Sequence, residues 1–273
     1  MAIVASAFGF ALMAFCVRLC DDFGAPISSM QKSFFRNLLA FAIALAVFCR
    51  RPRAGLSAVP LALWLRSLLG TVGIFANFYA LSHIPIAEGQ TLNKTAPFFT
   101  VVFAWLFLGE RMTGRQLAAL ALAFVGVVLV AKPGFAGEEG FPLAMGLLGG
   151  VCAGGAYACV HQLGIRKIDG AFIVLFFSAF SSLASVPFMV MSFDPMTAAQ
   201  VAILLGAGLG AAIGQFGITT AYRFAQPRQI AVFDYSNILF TAAFGYIGFA
   251  QVPDCLSVVG FLTIVIAALM QRA

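Results

Sequence analysis

The chain has 273 residues, of which 62% are hydrophobic and only 10% are charged, and its formal net charge at pH 7 is +6. A mean hydropathy of +1.01 excludes an ordinary soluble domain, because such a domain would expose far too much apolar surface to water. Since roughly 20 apolar residues span a bilayer as a helix, the length predicts an all-α integral membrane protein with about ten transmembrane helices.

Apolar runs separated by prolines and charged residues predict the helices in chain order. The first run has no cationic segment before it and has a counterpart later in the chain. We therefore interpret it as a retained span and not as a signal peptide. The expected helices cover residues 2–20, 27–49, 61–81, 87–109, 116–131, 142–162, 171–192, 200–224, 229–250 and 256–270.

Cationic residues between the predicted spans fall almost entirely on one side of the membrane, and Lys132 alone falls on the other. The positive-inside rule then predicts a multi-pass protein of the inner (plasma) membrane with both termini in the cytoplasm. This one-sided pattern indicates membrane topology and not nucleic-acid binding. The residues on the cationic side are Arg50, Arg51, Arg53, Arg66, Arg111, Arg115, Arg166, Lys167, Arg223, Arg228 and Arg272.

The second half of the chain matches the first after a shift of 141 residues, with the same order of spans and loops. We expect residues 1–133 and 134–273 to form two five-helix repeats. Because an odd number of spans reverses orientation, the repeats would be inverted, which is a common plan of secondary transporters with a site at the repeat interface. Identical pairs under this shift include Gly9 with Gly150, Gly73 with Gly214, Phe99 with Phe240 and Phe103 with Phe244.

Several short segments form a recognisable set of motifs, at residues 34–37, 79–89, 94–99, 106–111, 221–222 and 234–236. Over nearly the whole chain this set resembles the drug/metabolite transporter superfamily, EamA type. The resemblance implies a secondary transporter of small solutes, without enzymatic activity or cofactor. It also implies that helices 5 and 10 pack aside, while helices 1–4 and 6–9 line a central cavity.

Two features of the chain bear on that resemblance. Lys94 and Glu88 add charge where the motif usually carries an uncharged residue or Asp, and Ile238 replaces a proline that would mirror Pro97. Residues 117–131 and 256–270 contain no ionisable side chain. They are therefore expected to act as scaffold or as contacts of a homodimer through helices 5 and 10.

The distance of each charged residue from the membrane faces, along its predicted helix, identifies candidate substrate-binding residues. Arg36 lies about 13 Å from the outer face and Lys94 about 10 Å, with Asn93 beside it, and Lys32 lies one turn above Arg36. Charges at such depth are costly, so we expect these residues to bind an anionic group of the solute. The structural alternatives are an ion pair or carbonyl contact for the two deeper cations, and extension to the membrane surface for Lys32.

Arginines nearer the helix ends are expected to extend to the membrane surface. They are Arg18, Arg66 and Arg223.

Two carboxyl groups, Asp234 and Glu88, are candidate proton-coupling sites, because a carboxyl group removed from water favours its neutral form. Lys94 and Asp234 occupy corresponding regions of helices 4 and 9, but on straight helices their depths differ by roughly 12 Å. A direct salt bridge is therefore not expected unless the helices tilt or kink. Further candidates for hydrogen bonds to the solute, with inter-helix contacts as the alternative, are Tyr157, Gln215, Tyr235 and Asn237.

The function that these observations favour is secondary active export of a small carboxylate, anionic or zwitterionic solute, such as an amino acid, by alternating access. No phosphate-binding G-x-x-x-x-G-K-[ST] motif is present in the sequence. With six cysteines in no C-x-x-C pair and two histidines, no metal site is expected. The alternatives are an exporter of cationic or amphipathic drugs, a passive channel and, more distantly, a membrane-embedded lipid enzyme.

Overall fold

The structure is a computed structural model that describes residues 1–50, 59–84, 89, 92–109, 113–131, 140–191, 193–227 and 233–272. Within these ranges the chain forms ten α-helices and no β-strand. A short 3-10 helix, Cys20–Phe23, follows the first of them. The α-helices are α1 (Ala2–Leu19), α2 (Ser29–Cys49), α3 (Leu61–His83), α4 (Ala96–Leu108), α5 (Gly114–Ala131), α6 (Gly140–Ile165), α7 (Gly170–Met191), α8 (Ala198–Phe224), α9 (Ser236–Phe249) and α10 (Cys255–Arg272).

Six of the described helices, α1, α2, α3, α6, α7 and α8, are long and apolar enough to cross a membrane, and the other four are shorter apolar helices. The predicted all-α integral membrane fold is thereby confirmed. Helix ends agree with the predicted spans to within a few residues, except at the starts of α4 and α9.

Helix packing repeats between the two halves of the chain. α1 packs on α8 and α9, just as α6 packs on α3 and α4. α2 packs on α7, and α5 packs on α10. If each helix is replaced by the corresponding helix of the other half (α1 by α6, α2 by α7, and so on), the same set of contacts results. The contacts are those expected of two five-helix repeats, while the boundary between residues 133 and 134 stays a prediction.

Glycines allow the closest of these helix crossings. A Cβ atom at Gly9 would lie 2.7 Å from the carbonyl oxygen of Gly210, and one at Gly210 would lie 2.7 Å from that of Gly9. The α3–α6 crossing has the same character, because a Cβ atom at Gly73 would lie 3.3 Å from the carbonyl oxygen of Gly149. Small residues of this kind let membrane helices approach at their backbones, where van der Waals contact is greatest.

The starts of α4 and α9 differ from the prediction, because the expected continuous helices are interrupted. Leu92 and Asn93 are helical, Lys94 and Thr95 form a turn, and α4 begins only at Ala96. Pro97 has no N–H group and so cannot continue the hydrogen-bond ladder back across this turn.

In the second half, Tyr235 forms the corresponding turn before α9. There the amide of Ile238 donates to the carbonyl oxygen of Tyr235 at 3.0 Å, which closes a tight first turn without a proline.

Candidate functional site

A central cavity lies among α1, α2, α3, α6, α7 and α8, with the interrupted segment before α4 at its edge. It admits the centres of water-sized groups over about 60 Å³, which is room for a few water molecules. Among the described lining residues, none comes from α5 or α10. The lining residues are Phe10, Met13, Arg36, Arg66, Gly70, Gly73, Ile74, Asn77, Phe78, Asn93, Lys94, Ala153, Ala156, Tyr157, Phe177 and Gln215.

Arg36 reaches this cavity from α2, where the sequence placed it near mid-depth. Its side chain is 1% exposed, and its guanidinium lies over the ring of Phe78 at 5.7 Å. The Nε and Nη1 atoms are buried without a hydrogen-bond partner in the part of the chain that the structure describes. A buried cation with free donors is costly unless a bound group satisfies them.

Arg66 also faces the cavity, and the prediction that it extends to the membrane surface is wrong. It is 1% exposed, its guanidinium lies 3.7 Å from the centre of the Phe177 ring, and Nη2 donates to Oε1 of Gln215 at 2.8 Å. The reason is Gly70, one turn further along α3. A Cβ atom there would lie 2.6 Å from Nη1 of Arg66 and 2.8 Å from the Phe177 ring, so glycine leaves room beside α3 for the guanidinium to turn toward the cavity.

Lys94 and Asp234 form a salt bridge, contrary to the expectation from straight helices. The lysine Nζ lies 3.1 Å from Oδ2 and 3.2 Å from Oδ1, and the two side chains are 7% and 2% exposed. The prediction failed because the interruptions before α4 and α9 remove the regular rise on which the depths were calculated. At these turns the halves correspond with a shift of 140 residues and not 141, since the N-caps are Thr95 and Tyr235.

Lys32 does not line the cavity. Its Nζ lies 2.6 Å from Oδ2 of Asp21 and donates to Oγ of Ser82 at 3.2 Å, so it joins α2 to the 3-10 helix and to α3. The ion pair satisfies the lysine, which is the structural alternative to a solute contact. Because the Asp21 carboxylate lies within reach of its ammonium group, Lys32 remains fully buried and does not extend to the membrane surface.

The uncharged candidates divide into two groups. Tyr157, Gln215 and Asn93 line the cavity, and the Tyr157 ring stacks on Tyr222 with centroids 5.2 Å apart. Asn237 and Tyr235 do not line it. The Asn237 amide donates to the carbonyl oxygen of Ala7 at 2.6 Å, which joins α9 to α1.

Tyr235 lies in an apolar cluster with residues that include Ile238 and Ile264. The remaining candidate, Glu88, lies outside the described residues.

A lateral groove of about 500 Å³ lies between α3, α4 and α6. It shares no lining residue with the central cavity. Its walls are chiefly apolar, with Gln162 and Arg166 at the end where α6 finishes. The cations deep in the fold, Arg36 and Arg66, therefore belong to the central cavity, which is the candidate solute site.

Comparison with known proteins identifies the family. A model of the EamA-like transporter family matches residues 1–132. A pseudopaline exporter from Pseudomonas aeruginosa is 30% identical over 274 residues, which cover 98% of this chain and 93% of that protein. The chain belongs to the EamA-like transporter family. The resemblance to the drug/metabolite transporter superfamily is thereby confirmed, and the protein is a small-molecule transporter and not an enzyme.

Other members and one solved structure agree with this assignment. A riboflavin transporter from Brucella anthropi is 27% identical, over 84% of this chain and 82% of that protein. A protein of known crystal structure with 17% identity has a TM-score of 0.75 over 98% of this chain and 96% of its own. That likeness shows that the ten-helix arrangement is the fold of a solved structure.

Proposed function

We propose that the protein exports a small anionic or zwitterionic organic solute by alternating access, with Arg36 and Arg66 as the anion site. The observation that carries this proposal is the pair of fully buried guanidinium groups in one cavity. Neither has a carboxylate partner among the described residues. A buried charge without a counter-charge is strongly unfavourable, and a solute carboxylate or phosphate would supply both the charge and the acceptors.

The Lys94–Asp234 pair is the proposed coupling element. It joins the two turns that interrupt the helices of the first and second half, and such interrupted helices form the substrate and ion sites of many secondary transporters. Protonation of Asp234 would remove its negative charge and release Lys94. The turns before α4 and α9 would then separate, which opens the cavity. Glu88 remains a second candidate for the coupling proton.

Separate observations support the direction of transport, the membrane topology and a homodimer. The relative from Pseudomonas aeruginosa is named as an exporter, which supports export. The one-sided distribution of Lys and Arg supports an inner-membrane protein with cytoplasmic termini and two inverted repeats. A homodimer through α5 and α10 stays a prediction, supported by apolar side chains such as Leu117, Val125 and Leu262 that remain exposed on these helices.

Transport by the purified protein in proteoliposomes tests the proposal. The panel contains a labelled amino acid, a dicarboxylate, riboflavin and a cationic drug, each with and without an imposed pH gradient. We expect accumulation of an anionic or zwitterionic solute, with affinity reduced roughly ten- to a hundredfold in Arg36→Met and Arg66→Met, because each variant loses a charge-assisted contact.

Arg18→Met is the matched control, because Arg18 is a membrane arginine outside the cavity that donates to the carbonyl oxygen of Ser82. It should transport as the wild type does. If both cavity variants also transport as the wild type does, the arginines are structural. Accumulation of the cationic drug alone would favour the cationic-solute alternative, with Asp234 as the counter-charge.

A further inference from the structure

The central cavity has an excess of two positive charges among its described residues. Lys94 is neutralised by Asp234 at 3.1 Å, so it adds no net charge. Arg36 and Arg66 remain, and among the described residues the acceptor given for Arg66 is the neutral amide oxygen of Gln215. The buried Nε of each arginine and Nη1 of Arg36 have no partner among the described residues.

The two guanidinium groups lie over different aromatic rings. Arg36 rests over Phe78 of α3, and Arg66 rests over Phe177 of α7. A cation within about 6 Å of a ring centre is attracted to the aromatic face, which helps to hold each guanidinium in the cavity without using its N–H groups as hydrogen-bond donors. Each arginine therefore keeps buried donors that no described residue satisfies, and carboxylate or phosphate oxygens are the acceptors that such charged donors bind best.

We infer that the transported solute carries two negative charges in the region of these arginines, either as two carboxylates or as one phosphate monoester. This inference rests on the proposed function, because it names the solute class of the same site. A solute with a single carboxylate would leave one of two fully buried cations uncompensated. A dianion matches the net charge of the cavity and satisfies donors on both arginines.

Matched ligands test this inference directly. Succinate and succinamate have nearly the same size and shape, but succinamate has one carboxylate replaced by an amide. Binding is measured on the purified full-length protein as the rise in unfolding temperature with ligand concentration. We expect succinate to bind roughly tenfold or more tightly than succinamate, because the amide forms no charge-assisted contact with the second arginine. Glycerol 3-phosphate and succinate compared side by side distinguish a phosphate monoester from two carboxylates.

Variants connect the preference to the two arginines. In Arg36→Met and in Arg66→Met the succinate preference over succinamate should fall to near one, because one cation remains. The Arg36→Lys variant keeps the charge and should retain a preference, although binding weakens because lysine lacks the bidentate fork. Arg18→Met, outside the cavity, should retain the full preference.

The outcomes separate this inference from the proposed function. If succinamate binds as tightly as succinate in the wild type, yet both lose affinity in the arginine variants, the solute needs one negative charge and the inference is refuted. If no anion stabilises the protein at any concentration, or if the arginine variants bind succinate unchanged, the anion site itself is refuted and the proposed function fails with it.

Discussion

Removing one partner of the Lys94–Asp234 pair should destabilise the protein far more than removing both. The lysine Nζ contacts both carboxylate oxygens at 3.1 and 3.2 Å, and the side chains are only 7% and 2% exposed. Lys94→Met or Asp234→Asn would leave the other charge buried and unpaired, which costs about 3–5 kcal/mol. The double variant carries no charge at either position, and replacement of a whole buried pair is often nearly neutral.

Thermal unfolding of the purified protein in detergent measures these differences. For a chain of this length each kcal/mol shifts the unfolding temperature by about 2–4 °C, so each single variant should unfold roughly 6–20 °C below the wild type. The double variant should unfold within a few degrees of the wild type. Lys167→Met, at an exposed lysine beyond the end of α6, is the control and should shift unfolding little.

The same single and double variants can also be compared in a transport assay. Asp234→Asn removes a titratable carboxylate, so its residual solute flux should lose pH dependence if Asp234 carries the coupling proton. Additive losses in the single and double variants would mean that the two groups do not interact. Such a result would refute the pair as the contact that joins the interrupted helices.

Three further predictions concern the packing around the site and the topology. Gly70→Ala would place a Cβ atom 2.6 Å from Nη1 of Arg66 and 2.8 Å from the Phe177 ring, so the guanidinium must shift and solute affinity should fall, though less than in Arg66→Met. Gly114→Ala, with nothing within 4 Å, should bind solute as the wild type does. Equal affinities in the two variants would contradict the role of Gly70. Exchanges among Leu, Val and Ala at exposed positions of α5 and α10, such as Leu117, should leave affinity unchanged, and a selective loss would show that these helices contact the solute. Reporter fusions at Arg51 and Glu138 should fall on opposite sides of the membrane, and reports from one side only would refute the proposed topology.

The sequence was most informative where a property depends on composition and spacing along the chain. Apolar runs predicted ten helices, and depth along α2 identified Arg36, because an arginine near the middle of a continuous helix cannot reach water easily. The same calculation failed for Arg66. It used distance from the helix end, whereas the side-chain direction depends on the space that Gly70 leaves one turn away. No pattern in the sequence distinguishes this arginine, since Arg166 is also followed four residues later by a glycine and is exposed.

Failure at Lys94 and Asp234 has a different cause. Depth arithmetic requires an uninterrupted rise of 1.5 Å per residue, but the chain is interrupted at Lys94 and directly after Asp234. Pro97 was visible as a position where the hydrogen-bond ladder breaks. Under the 140-residue shift its counterpart is Asn237, which gave no such signal, and Tyr235 at that turn packs in an apolar cluster with Ile264 of α10.

The charges of the site connect solute occupancy with the closed conformation. In the conformation described, the cavity has room for only a few water molecules, yet it contains two guanidinium groups whose donors are partly unsatisfied. An empty closed state is therefore costly, whereas an open state lets water solvate both arginines. A bound anion offsets this cost in the closed state, whereas in the open state water already solvates the arginines and the anion gains less. It therefore shifts the equilibrium toward closure by the difference in its affinity for the two states. Under the proposed alternating-access mechanism the solute would itself stabilise the closed conformation, and the buried Lys94–Asp234 pair could close around a loaded site without adding a further unpaired charge.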